Sequence, residues 1–79
     1  MTEIEIQQHK AEVELAFGMS YQKHCEQGFK DYLKNCNPNY ITPQGINTIF
    51  DSFLEYDVDL SNVRIMATEY FAEQLKKNN

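Results

Sequence analysis

Asp57, Asp59 and Ser61 place oxygen-bearing side chains at alternate positions of a short polar stretch, the spacing with which a loop cradles calcium. Such a loop also needs a glycine at its sharp turn and a bidentate glutamate at its twelfth position. This chain has Asn62 and Thr68 there, so no metal site is expected. His9, His24, Cys25 and Cys36 are the soft donors. Structural zinc sites pair such ligands two to four residues apart. None of these four is so spaced, and the adjacent His24 and Cys25 point to different faces of a helix. No motif joins a cysteine to a histidine as nucleophile and base. No catalytic, metal or cofactor residue is therefore expected.

The densest local chemistry is acidic: Asp51, Glu55, Asp57 and Asp59, with Tyr56 among them. Tyr56, and Tyr40 in the preceding loop, lie off or at the edge of the apolar stripes. Tyrosines with one apolar and one wet end are common anchors of protein interfaces. Tyr40, Asp51, Glu55, Tyr56, Asp57 and Asp59 are thus the candidate protein-binding residues. The dipeptide Asp51-Ser52 also resembles the attachment site of acyl carrier proteins, which are small, acidic and helical. In that family it opens a helix after a Gly-rich loop, whereas here it falls within a helix between Phe50 and Phe53.

Charge narrows the partners. The net charge is −5, from seven basic and twelve acidic residues. Residues 1–18 sum to −3 (Lys10 against four glutamates) and 38–60 to −4, while 19–37 and 61–79 are each +1. Arg64 is the single arginine and no basic cluster exists, which argues against direct binding to nucleic acid or anionic membranes. An acidic surface is steered towards basic partners. The acidic N-terminus has no apolar core of a secretory signal. Two unpaired thiols suit the cytoplasm: eleven residues apart on one helix, Cys25 and Cys36 would stand about 16 Å apart, beyond the roughly 7 Å a disulfide allows.

These groups are positioned by helices. The 79 residues allow one domain, 1–79. Ile41-Thr42-Pro43 opens a helix over 43–56, with Thr42 as N-cap, Pro43 in the first turn, and Ile41 and Ile46 as a staple. Ile46, Ile49, Phe50, Phe53 and Leu54 form its stripe. Ser61 is read as the next N-cap, with Leu60 and Ile65 as a second staple, for a helix over 61–76 whose stripe is Val63, Met66, Ala67, Tyr70, Phe71 and Leu75. Lys76 and Lys77 complement its dipole. Ser20 caps a helix over 20–36, with Tyr21, Cys25, Gly28, Phe29, Tyr32 and Cys36 on one face and both thiols buried. The Asn/Pro loop after it turns the chain back. The tail, 77–79, is expected to fray.

Residues 3–17 carry two signals. Ile4 and Ile6, then Ala11, Val13, Leu15 and Phe17, alternate as in strands, which allows a β-hairpin over 2–17. The turn between them lacks Gly, Pro, Asn or Asp, and the composition favours helix. Wound as a helix, the apolar residues make two stripes on opposite sides, Ile4/Ala11/Leu15 and Ile6/Val13/Phe17. The expectation is an all-α bundle of three or four helices; an α+β fold with that hairpin is the alternative. The leading functional expectation is a cytoplasmic, non-enzymatic regulator or inhibitor, of the kind found among viral accessory proteins, docking a larger basic, nucleic-acid-handling protein. A structural subunit of a homodimer or larger assembly is second, and a divalent-metal sensor a distant third.

Overall fold

A computed structural model describes residues 2–77. Four α-helices follow one another: α1 (Glu3–Phe17), α2 (Tyr21–Asn35), α3 (Pro43–Glu55) and α4 (Ser61–Lys77), with a short 3-10 turn at Pro38–Tyr40. No strand occurs among the described residues, so the hairpin alternative for 2–17 falls. Helix propensity and the lack of turn residues outweigh the two-residue alternation there.

The caps explain the boundaries. Thr2, Ser20 and Thr42 each accept a hydrogen bond from the backbone N–H three residues on, at Glu5, Lys23 and Gly45. Gly18 ends α1 in the left-handed region, φ 66°, where its N–H donates to the Glu14 carbonyl. α4 corrects the sequence reading. Leu60, not Ser61, is the residue before the helix, and its carbonyl accepts the first helical bond, from the Arg64 N–H. Asp59 Oδ1 caps from one residue earlier by accepting from both the N–H and the hydroxyl of Ser61, at 2.9 and 2.8 Å. Ser61 is already helical. Leu60 is buried but Ile65 is exposed, so the second staple does not close. α4 runs on to Lys77, and residues 78–79 of the expected tail lie outside the described residues.

α2, α3 and α4 share the main core. Phe29, Ile41, Ile46, Phe50, Leu60, Val63 and Ala67 are buried together, with Val63 fully excluded from solvent. Phe29 from α2 meets Phe50 and Phe53 of α3, ring centroids 5.9 and 6.3 Å apart. Arg64 lays its guanidinium 5.3 Å from the centre of the Phe50 ring. Beside this core runs a polar seam. The Gln22 side-chain amide donates to the Asp59 carbonyl and accepts from the Asp59 N–H, at 2.8 and 2.7 Å, and Asn62 donates to Glu26. Residue numbers rise together across that seam, so α2 and α4 ascend side by side in direct contact, while α3 returns against the core they share.

α1 lies outside that unit. Its Val13 joins a second, smaller cluster of Tyr21, Cys25 and Val58, flanked by Phe53 and Tyr56. His9 meets the rings of Tyr21 and Tyr56, while Phe17 stacks on His24. His9 and Phe17 are about 12 Å apart along α1, yet both land within one turn of α2. α1 therefore crosses the start of α2 steeply, and the molecule is long, 48 × 23 × 20 Å. Cys36 also departs from expectation. α2 stops at Asn35, so Cys36 sits exposed just past it and only Cys25 is buried; both are free thiols.

Candidate functional site

The acidic end is built by the stop of α3. The Val58 N–H reaches back to the Phe53 carbonyl at 2.9 Å and the Asp57 N–H to that of Leu54 at 3.1 Å. This pair of bonds, with Val58 packed on Phe53, is a Schellman motif. It requires a left-handed residue, and that residue is Asp57, φ 58°, where glycine is usual. The turn thus holds one carboxylate outward just beyond the exposed Glu55, which lies one turn from the exposed Asp51 on the same side of α3.

The six candidate residues do not form one patch. Asp51, Glu55 and Asp57 are exposed and close in sequence around the end of α3. Asp59 is exposed, but its carboxylate caps α4, and those hydrogen bonds from Ser61 hold it below the usual carboxylate range. Tyr56 is half-buried against Tyr21 and His9. Tyr40, 77% exposed, stands in the 3-10 turn before α3. The start of α3, next to Tyr40, lies about 12 Å along the helix from Asp51 and about 18 Å from Glu55.

The structure reveals a second surface. α1 buries none of its residues, and Ile4 and Leu15 are 71% and 87% exposed. The half-buried residues of α1, namely Ile6, His9, Lys10 and Val13, face the bundle. Ile4, Gln8, Ala11 and Leu15 fall on the opposite side, within an arc of about 60°. The two apolar stripes were visible in the sequence, but which one packs was not. Sequence reading also missed Gln22, because an isolated glutamine carries no signal of the loop it clamps. A third feature is an open groove of about 530 Å³ between the ends of α2 and α4, with Lys30, Lys34, Lys77, Glu69 and Glu73 on its walls. Its charges are mixed and select no ligand.

Burial pushes the Cys25 thiol up, which favours its protonated form. Burial likewise raises Tyr21 far above an ordinary phenol. Among the described residues, no three His, Cys, Asp or Glu side chains gather to hold a metal, and no helix is long and apolar enough to cross a membrane. The chain matches no protein-family model, no curated protein and no solved structure.

Proposed function

We propose that the chain is a small protein-binding module, a regulator or inhibitor that docks a larger protein with a basic surface and acts by binding alone. The observation that carries this reading is α1, a 15-residue helix without a buried residue whose outer face presents Ile4, Ala11 and Leu15. A lone helix of this length is marginal in water. Burying a large aliphatic side chain is worth about 1.5–3 kcal/mol. The outer face of α1 therefore has much to gain from a second macromolecule. The acidic end of α3 and the net charge of −5 favour a basic one. Proteins that hold nucleic acid carry such surfaces, and a cytoplasmic protein of that class is the partner we favour. Free thiols fit a reducing compartment.

The test is affinity capture on the immobilised full chain, at about 50 mM and about 500 mM salt. A protein retained saturably at low salt and released at high salt supports the reading. Failure to retain any protein saturably, or turnover of a small substrate by the purified chain, refutes it.

A further inference from the structure

We infer that the outer face of α1 is the docking element, and that it lays its Ile4, Ala11 and Leu15 stripe into an apolar groove rimmed by lysine or arginine on the partner protein. The inference rests on the protein-binding reading above and names its surface and chemistry. Ile4, Ala11 and Leu15 recur at seven- and four-residue spacing over about 16 Å, three turns, which is how a helix presents anchors to a groove. Ile4 and Ala11 already line a shallow depression with Glu3, Gln7 and Gln8.

The rims decide the occupant. Glu5 and Glu12 flank one side of the stripe and Glu3 and Glu14 the other, each about 70–110° from its centre. All four glutamates of α1 thus border the apolar face. Its one lysine, Lys10, is half-buried on the inner side. A second copy joined through the same face would bring glutamate rims against glutamate rims, whether the helices ran parallel or antiparallel, and the lysine-bearing groove between α2 and α4 offers α1 of another copy Glu69 and Glu73 as well. An anionic membrane would meet the same repulsion. A groove edged with cations meets complementary charge on both sides. One oxygen of Glu14 is engaged, accepting from the Tyr21 N–H at 3.3 Å, which fixes α1 against α2 and holds the outer face away from the bundle.

The experiment uses the full chain, isotopically labelled for NMR, and two synthetic amphipathic helical peptides: one of leucine and lysine, the other of leucine and glutamate. The lysine peptide should bind saturably and shift the amides of Ile4, Gln8, Ala11 and Leu15 and of the flanking glutamates. Its affinity should fall about tenfold with Leu15→Lys, the loss typical of a buried anchor, and likewise with the double change Glu5→Lys, Glu12→Lys. Leu15 is 87% exposed, so that variant keeps its helical circular dichroism. The glutamate peptide should not bind.

Equal binding of both peptides, absence of saturable binding, or shifts centred on Asp51–Asp57 instead of α1 would overturn the inference. The last outcome leaves the protein-binding reading standing. Light scattering that finds a dimer abolished by Leu15→Lys overturns it in favour of a second copy. Capture of a partner whose affinity ignores Leu15→Lys rejects this surface alone, whereas failure to capture any partner rejects the protein-binding reading itself.

Discussion

Asp57→Gly should stabilise the protein, although it removes an exposed charge of the acidic end. Asp57 holds φ at 58° so that the Asp57 and Val58 amides can close the end of α3. The left-handed region costs an L-residue about 1–2 kcal/mol, with aspartate at the low end. A carboxylate beside a helix C-terminus opposes the dipole by about 0.3–1 kcal/mol. Against these gains, glycine's freedom in the unfolded chain costs about 0.4–1 kcal/mol. The balance is a gain of about 1 kcal/mol. In a domain of this size it raises Tm by roughly 4–8 °C. Thermal melting by circular dichroism and a urea titration measure it together, and the urea slope should not change. A Tm that stays or falls with that slope unaltered would show that the Asp57 carboxylate makes a contact outweighing its backbone cost. Affinity for a basic partner should weaken in the same variant if the acidic end contributes to docking.

Three further outcomes test the packing and its electrostatics. Val63→Ala, at a position with no solvent exposure, should cost about 2–3 kcal/mol from lost transfer and cavity terms, whereas Leu15→Ala on the open face should change the urea midpoint little. Gly28→Ala places a methyl group where nothing lies within 4 Å, and should stabilise α2 by about 0.5–1 kcal/mol; a loss would mean that another part of the chain closes on this glycine. Asp59→Asn keeps a capping oxygen but loses the charge. Because the folded pKa of Asp59 is lowered, the stability it adds is present above its unfolded value near 3.8 and fades as pH falls through the folded one. The wild type should therefore exceed the variant by a constant margin above about pH 5, and the two should converge in acid; a margin that grows on acidification would reverse the assignment.

Three of the helices were plain in the sequence because their apolar residues recur on one side. Thr42-Pro43 and Ser20 marked two starts in advance. Their ends were less legible. Cys36 falls outside α2, and Ser61 yields its capping role to Asp59, because a cap depends on where the chain enters the helix and not on residue type alone. Of the six candidate interface residues, Asp51, Glu55 and Asp57 are exposed together at the end of α3. Asp59 and Tyr56 serve the fold, and Tyr40 stands at the far end of α3. Spacing along the chain could not separate those roles, since it does not record which neighbours arrive from α1 and α2.

The amino-acid order alone determined that the chain from Ser20 onward coils into three helices, that it is acidic, and that residues 3–17 carry two apolar sides if they wind as a helix. These follow from local propensity and period, which need no distant contact. Only the tertiary structure decided that Ile6 and Val13 turn inward and that Ile4, Ala11 and Leu15 remain outside between rows of glutamate. Either stripe could have met the bundle. The choice was made by the Gly18 turn, the Glu14–Tyr21 bond and the cluster beneath Val13, which together set the angle at which α1 crosses α2.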